Sequence, residues 1–214
     1  MTANFSIEEW NETHPRWQEF VKCLETVAPD QTPFVFGKHY QGYPSYLLVA
    51  LQSNQVVGFL RFAVQPIGPE AKCPPLYLDG EQLTEAKIHA FAVREGSRGQ
   101  GIGTELQRQA IHRAKELGCF QVASYSSYGR DANHHIKLSL GFGAQPEVHG
   151  DNQQGVYFIM PLQVGFRPTA APAAETECWV DTRRGTSATS KEAGKDHTTA
   201  RDKGKTLESA PARL

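Results

Sequence analysis

The sequence predicts a mixed α+β domain in which helices pack on strands. Segments with apolar residues at helical spacing alternate with short strand-like runs, and one strand leads through a glycine-rich loop into an amphipathic helix. Hydrophobic residues make up 39% of the 214 residues, which is enough for a substantial core. The formal net charge of −1 provides no overall field that would attract nucleic acid or an anionic membrane, so neither partner is expected.

The first predicted element is a helix over residues 15–27. Thr13 can cap its N-terminus, and Pro15 suits the first helical turn, where its missing N–H is not needed. The apolar side chains of this segment recur every three or four residues and so form one face that can be buried: Trp17, Phe20, Val21, Leu24 and Val27.

Three strands are predicted next. Residues 46–52 and 55–65 are apolar runs separated only by a Ser-Asn pair, which indicates a hairpin. Residues 66–84 contain several prolines and are expected to form a long loop with room for one short strand. Residues 86–93 are predicted to form the third strand, which leads directly into the glycine-rich loop.

The segment after the glycine-rich loop alternates again between helical and strand-like periods. The predicted elements are a helix over 102–117 that ends at Gly118 as its C-terminal cap, a strand over 120–126, a short helix over 132–140, and a hairpin of residues 142–148 and 155–162 across Asp151 and Asn152.

The composition of the chain changes near Gly165. We therefore divide it into a folded domain over residues 1–164 and a polar tail over residues 165–214. The tail has few bulky apolar side chains and is rich in Ala, Thr, Ser and charged residues. Burial cannot then offset an ordering cost of ~1–2 kcal/mol per residue, so the tail is expected to be disordered.

No segment of the sequence predicts export, membrane insertion or a metal site. The N-terminus lacks the order of a signal peptide, and the longest apolar run, residues 46–51, is far shorter than the ~20 residues of a membrane-spanning helix. Adjacent His134 and His135 point about 100° apart on a helix, which favours surface histidines over a metal site.

Four widely spaced cysteines are expected to be free thiols in a reducing cytoplasm: Cys23, Cys73, Cys119 and Cys178.

The glycine-rich loop over residues 98–104 carries the most functional information. Glycines let the backbone approach a ligand closely, and the free N–H groups in the first turn of the following helix can bind a diphosphate. Two common glycine motifs fit poorly. The phosphate loop of nucleoside triphosphatases requires Lys-Ser or Lys-Thr where Ile102-Gly103 stands, and the dinucleotide-binding loop requires a glycine where Thr104 stands.

A third pattern, Arg/Gln-x-x-Gly-x-Gly/Ala at the start of a helix, fits Arg98-Gly99-Gln100-Gly101-Ile102-Gly103 position by position. A strand ending in Phe91-Ala92-Val93 precedes it, and a later helix ends in Gly141-Phe142 before a hairpin. On these residues the sequence resembles the GNAT superfamily of acetyl-coenzyme A-dependent N-acetyltransferases, most strongly over residues 86–142. The resemblance implies a mostly antiparallel, twisted sheet with flanking helices, an α/β three-layer sandwich.

The resemblance also implies that acetyl-coenzyme A (acetyl-CoA) is the co-substrate. Its diphosphate would bind the N–H groups of the loop, and its pantetheine arm would pair with the preceding strand. The acetyl group would pass directly to an amine of a small molecule or a peptide, with no covalent enzyme intermediate and no metal. The donor-binding residues that the resemblance implies are Phe91, Ala92, Val93, Arg98, Gly99, Gln100, Gly101, Ile102, Gly103, Thr104 and Asn133.

The acceptor must lose a proton, because only about one part in a thousand of an alkyl amine is neutral at pH 7. Glu85, Lys87, His89 and Phe91 are predicted to share one face of their strand. His89 is the candidate general base, with an acidic limb of the pH profile expected near pH ~6–7, and Glu85 acting through water is a second candidate. A half-buried structural role for His89 is the alternative.

Two positions depart from the family pattern. The tyrosine that usually protonates the leaving thiolate, four residues before the glycine of Gly-Phe, is Lys137 here. Tyr125 and Tyr128 are therefore the candidate substitutes for it. The asparagine that often contacts pantetheine is Arg130, and either Asn133 takes over that contact or Arg130 reaches the phosphates of the coenzyme.

Three functions stay open at this point. The first is an N-acetyltransferase, the second is a catalytically impaired CoA-binding regulatory protein, suggested by Lys137, and the third is a partner-binding protein that acts through its tail. The acceptor is expected between the first helix, the loop over 66–84 and the last hairpin, where Asp79, Glu81 and Glu85 could attract a cation. The sequence does not predict the acceptor's identity or the oligomeric state, because variable loops choose acceptors in this fold.

Overall fold

A computed structural model describes residues 4–37, 42–149 and 153–163. The predicted tail over 165–214 and the predicted turn at Asp151 and Asn152 lie outside these residues. In chain order the elements are β1 (Ser6–Trp10), α1 (Trp17–Val27), α2 (Thr32–Phe36), β2 (Ser45–Gln52), β3 (Gln55–Pro66), β4 (Tyr77–Leu78), β5 (Glu81–Gln82), β6 (Thr84–Val93), α3 (Ile102–Glu116), β7 (Gln121–Ser127), α4 (Asp131–Ser139), β8 (Gly143–His149) and β9 (Gln153–Pro161).

Seven of these strands form one sheet in the order β1-β2-β3-β6-β7-β9-β8, while β4 and β5 form a small separate hairpin. Within the seven-stranded sheet β6 and β7 run parallel, and the other neighbouring pairs run antiparallel. The parallel pair arises because α3 carries the chain back across the sheet before β7 begins. The predicted mixed, mostly antiparallel sheet is confirmed.

Helices cover both faces of this sheet, which gives the three layers that the family resemblance implies. On one face Ile102 and Leu106 of α3 are buried against the sheet, and we call this the α3 face. On the opposite face, the α1 face, Phe20 of α1 meets Phe59 of β3 edge-on, with 5.4 Å between the ring centroids. In the part of the chain that the structure describes, no helix has the length and apolar character to cross a membrane.

The N-terminal elements differ from the prediction. β1 is an edge strand whose side chains are mostly exposed, so it lacks the apolar alternation that reveals a strand in sequence. α2, also not predicted, has only five residues. α1 begins at Trp17, and Thr13 does not cap it, because the backbone N–H and the hydroxyl of Thr13 both bind the Asn11 Oδ1, at 2.9 and 2.6 Å.

A β-bulge in β6 reverses the orientation of the last residues of that strand. At His89, β6 carries one residue more than its partner β3. Ile88 before the bulge and Phe91 after it both pack on the α3 face, whereas Glu85 and Lys87 alternate onto the α1 face. The prediction that Phe91 shares a face with Glu85 and Lys87 is therefore wrong, since one inserted residue turns every later side chain over.

Candidate functional site

The two parallel strands separate toward their carboxyl ends. β6 and β7 pair from Glu85 and Gln121 to Ile88 and Ser124. β6 then continues to Val93 and β7 to Ser127, and no pairing joins these ends within the described residues. Backbone groups of β6 beyond Ile88 are therefore left without a β7 partner, and we call the gap between the two unpaired strand ends the cleft. In mixed sheets such a divergence at the carboxyl ends of strands is a usual place for a ligand.

The glycine-rich loop over residues 98–104 lies between β6 and α3, at the end of the cleft. Gly99 and Gly101 adopt φ values of 74° and 84°, which glycine adopts readily, and a Cβ on either would meet no atom within 4 Å. A Cβ on Gly103 would instead lie 3.1 Å from the ring of Phe91 and 3.2 Å from the Cδ1 of Ile136. The first two glycines leave open space beside the loop, and the third brings α3 close to both β6 and α4.

The backbone N–H groups of this loop are available for a ligand. Among the residues that the structure describes, none accepts a hydrogen bond from any N–H between Gly99 and Thr104. The N–H groups of Ser97 and Arg98, just before, donate to the carbonyls of Arg94 and Glu95. A row of free N–H groups at the positive end of the 15-residue helix α3 matches the requirements of an anion such as a diphosphate.

Side chains hold the loop in place from both sides. The carboxamide of Gln52, the last residue of β2, accepts from the Ser97 hydroxyl at 3.0 Å and donates to the Gln100 Oε1 at 2.6 Å. The Arg98 Nε donates to the carbonyl of Val93 at 3.0 Å, and the Arg98 side chain stays exposed at the rim of the loop. The loop is thus attached to the end of β2 and to the end of β6.

The turn between α1 and α2 contacts both walls of the cleft. The N–H of Phe91 donates to the Gln31 Oε1 at 2.7 Å, and the Gln31 Nε2 donates to the carbonyl of Phe91 at 3.1 Å. The preceding residue, Asp30, forms an ion pair at 3.4 Å with Arg130, which stands directly before α4. The turn Pro29–Gln31 therefore reaches β6 through one side chain and the start of α4 through the next.

A buried polar network lines the α4 wall. The Lys137 Nζ donates to the Asn133 Oδ1 at 3.0 Å and lies 5.2 Å from the centroid of the Phe158 ring. The Ser126 hydroxyl accepts from the Asn133 Nδ2 at 3.1 Å and contacts the His134 Nε2 at 3.1 Å. Lys137 is only 1% exposed, and this burial lowers its pKa to about 7. The amide of Asn133, a predicted donor-binding residue, is engaged within the protein.

A second buried network lies on the α1 face of the same strands. Glu85 is 3% exposed, and its two carboxylate oxygens accept from the Gln65 Nε2 at 3.1 Å and the Gln121 Nε2 at 2.8 Å. Paired N–H donors compensate the cost of burying this carboxylate. Glu85 is therefore tied into the sheet rather than pointing freely into a pocket.

Lys87 is the cation of that network. Its Nζ lies 2.7 Å from the Glu70 carboxylate and 2.9 Å from the Tyr157 hydroxyl. Burial alone would lower its pKa, but Glu70 and Tyr157 outweigh burial and raise it, so Lys87 keeps its charge at neutral pH. Glu70 belongs to the long loop between β3 and β6, and the ion pair fixes this loop to the α1 face.

The surroundings of His89 differ from those assumed for it from sequence. The ring is half-buried at the bulge, and burial, together with the positive charges of Arg61 and Lys87, lowers its pKa to about 3. His89 is thus neutral throughout the neutral range. The acidic limb expected near pH ~6–7 does not follow from a histidine in this environment, because burial and two nearby cations oppose its protonation.

Tyr125 and Tyr128 lie apart from the α4 network. Ser126 faces α4, so Tyr125, its neighbour on β7, faces the α1 side of the sheet, where its hydroxyl lies over Gly155 of β9. Burial raises the pKa of Tyr125. Tyr128 lies in the turn after β7 and is 53% exposed. Lys137, and neither of these tyrosines, is bonded to Asn133 in the α4 network.

Two residues near the cleft were not found by sequence reasoning. Gln31 contacts a backbone 60 positions away, and Gln52 joins β2 to the loop across 45 and 48 positions. A lone glutamine after a predicted helix or at the end of a predicted strand carries no motif. Only the pairing of β2, β3 and β6, which brings these segments together, could have indicated either residue.

Comparison with known proteins identifies the family and supports the fold. The family model described as Acetyltransferase (GNAT) family matches residues 7–142. A search of curated proteins found no match. Among solved structures, Arabidopsis thaliana NAA60 in complex with acetyl-CoA is similar with a TM-score of 0.57 at 12% identity, covering 73% of this chain and 99% of that one.

A GNAT-family acetyltransferase from Staphylococcus aureus Mu50 is similar with a TM-score of 0.54 at 14% identity, covering 74% of this chain and 99% of that one. Arabidopsis thaliana NAA60 with a bisubstrate analogue has a TM-score of 0.52 at 15% identity, with 72% and 95% covered. At these identities the neighbours establish the fold, while the family model extends over more than half of the sequence. With its diverging parallel strands and its loop of free N–H groups, the chain belongs to the GNAT family of acetyltransferases.

Proposed function

We propose that this protein is an N-acetyltransferase that moves the acetyl group of acetyl-CoA directly to an amine in a ternary complex. The observation that carries the proposal is the row of available N–H groups from Gly99 to Thr104, placed where β6 and β7 diverge. These N–H groups suit a diphosphate, and the open space beside Gly99 and Gly101 suits its close approach.

The donor would occupy the cleft along its length. The loop binds the diphosphate, with Arg98 adding a charge at the rim, and the backbone from Phe91 to Val93 pairs with the amides of the pantetheine arm. A backbone N–H on β6 then donates to the thioester carbonyl as negative charge develops on its oxygen. Alignment of amine and thioester supplies much of the acceleration, and no covalent intermediate with the protein is required.

The acceptor would approach from the α1 face, on which Glu85, Lys87 and His89 lie. A free amine must form there before attack, and the charged Lys87 favours the neutral state of a nearby amine. His89 accepts the proton only from a group made much more acidic by bond formation, such as the tetrahedral adduct. Glu85, which already accepts two N–H donors, would act through water.

The leaving thiolate requires a proton, for which Tyr125 and Tyr128 were the candidates from sequence. Lys137 is a third candidate, because it is buried on the α4 wall and burial lowers its pKa to about 7, suitable for giving and regaining a proton near neutrality. The comparison of Y125F, Y128F and K137M variants in single turnover distinguishes the three. The side chain that delivers the proton is the one whose loss slows thiol release at saturating donor.

A second candidate function is a CoA-binding regulatory protein without turnover. The observation in its favour is the same Lys137, whose Nζ is engaged by Asn133 in the position where the family resemblance implies a tyrosine. The two functions share donor binding and differ in chemistry. An impaired protein would bind acetyl-CoA and release no thiol with any amine.

The experiment follows in two stages with the full chain. Calorimetry with acetyl-CoA first measures binding, and a panel of small amines and peptide N-termini is then screened for release of free CoA thiol. Mass spectrometry identifies the acetylated product. Binding with thiol release supports the acetyltransferase, binding without release for any amine supports the regulatory protein, and absence of binding overturns both.

A further inference from the structure

The edge of β6 that faces the cleft is engaged by a side chain. Ala90 and Ala92 pair with Arg61 and Phe59 of β3 and direct their backbone groups toward that strand. The intervening Phe91 directs its N–H and C=O toward the cleft, and both are bonded to the carboxamide of Gln31. A ligand that extends β6 as an added strand would need these same two groups.

Gln31 and a ligand that extends β6 would offer Phe91 the same kinds of hydrogen-bonding group. The carboxamide of Gln31 offers one carbonyl acceptor and one N–H donor, which is the set that a secondary amide or a thioester followed by an amide presents to a strand. Phe91 has a single N–H, and its bond to Gln31 is short, at 2.7 Å. Gln31 and an extended acyl donor therefore compete for one position.

Competition for Phe91 would also affect the turn that carries Gln31. Asp30 and Gln31 are adjacent in the turn Pro29–Gln31, and they contact opposite walls of the cleft, at Arg130 and at Phe91. The turn lies across the cleft as a strap with two attachments. The Asp30–Arg130 ion pair is exposed and the two Gln31–Phe91 hydrogen bonds are only partly buried, so each contributes little net free energy and can exchange readily.

We propose that Gln31 holds the hydrogen-bonding position of the acyl donor on β6 in the free protein, and that the donor displaces it and releases the turn between α1 and α2. This proposal rests on the proposed function, because it needs a donor that pairs with β6. Gln31 is then a residue that sets donor affinity. Its release also frees the turn next to the α1 face, where the acceptor is proposed to approach.

The test compares the full-length wild type with Gln31→Ala. The first readout is hydrogen exchange of the Phe91 amide, which we expect to be protected in the free wild type, unprotected in free Gln31→Ala, and protected in both with acetyl-CoA. The second readout is the Kd for acetyl-CoA, which we expect to fall by about tenfold in Gln31→Ala because the competing contact is gone. Gln82→Ala, which removes a carboxamide bonded to Tyr77 outside the cleft, serves as the matched control.

Each outcome decides the proposal. Loss of Phe91 protection with tighter donor binding in Gln31→Ala, and neither change in Gln82→Ala, supports it. Equal or weaker donor binding in Gln31→Ala overturns the displacement while leaving the donor site intact. No binding of acetyl-CoA to the wild type overturns both the donor site and the displacement. Thermal unfolding of each variant verifies folding.

Discussion

Replacing the buried Lys137 by methionine should change how stability depends on pH. The folded protein holds Lys137 with a pKa of about 7, against an ordinary value of 10.5. Between these values the unfolded chain binds the proton that the folded protein lacks, so the free energy of unfolding rises with pH. Below pH 7 the lowered pKa reduces the free energy of unfolding by its full amount, about 5 kcal/mol, at ~1.4 kcal/mol for each pH unit between the two pKa values. Between pH 7 and pH 9 the free energy of unfolding of the wild type should rise by about 2 kcal/mol relative to that of Lys137→Met.

The assay is denaturant unfolding of wild type and Lys137→Met at several pH values from 6 to 9.5. The difference between the free energies of unfolding of the two proteins is taken at each pH, which cancels the titration of all other groups. Methionine keeps the length and the contact with Phe158, so its loss of the bond to Asn133 adds only a pH-independent offset. Lys115→Met, at an exposed position on α3, is the control and should give a constant difference. A constant difference for Lys137→Met as well would show that the pKa of Lys137 is not lowered in the folded protein, and would refute the reasoning.

Two further predictions concern the loop and the bulge. Gly101→Ala and Gly118→Ala both place a methyl group at a positive φ, 84° and 75°, with open space around it, so each should cost a similar ~1–2 kcal/mol of stability. Only Gly101→Ala should weaken acetyl-CoA binding, by at least about tenfold in calorimetry. Equal weakening by both variants would contradict the assignment of the glycine-rich loop as the diphosphate site. His89→Gln should leave the rate profile between pH 6 and 7 unchanged, because burial holds the pKa of His89 at about 3. An acidic limb in the wild type that disappears in His89→Gln would show instead that His89 titrates there.

The region from β6 through β7 could be predicted from sequence because its signals are strong and local. The apolar run of β6, the glycines that follow and the helical spacing of α3 agree with one another. The observed bounds differ from the predicted ones by two residues at the start of β6, by one at the end of α3 and by one at each end of β7. The sequences of β1 and α2 contain no comparable set of signals that agree with one another. β1 exposes most of its side chains, and α2 is too short to show a period.

The side-chain arrangement around the cleft depends on tertiary structure. The bulge at His89 comes from a one-residue mismatch between β3 and β6, which no pattern within β6 indicates, yet it decides which face Phe91 joins. The low pKa of Lys137 comes from burial of one side chain of α4, a helix that has few apolar residues in its sequence. Gln31 reaches Phe91 only because the turn after α1 returns to the far end of β6.

The central claim is that the backbone amides of the glycine-rich loop bind the diphosphate of acetyl-CoA. The most direct measurement is a titration of the isotopically labelled protein with acetyl-CoA, followed through its backbone amide resonances. The account predicts that the largest shifts fall on residues 99–104, with smaller ones on residues 91–93 of β6. Saturable binding whose shifts lie elsewhere, or no shifts at all, would contradict it.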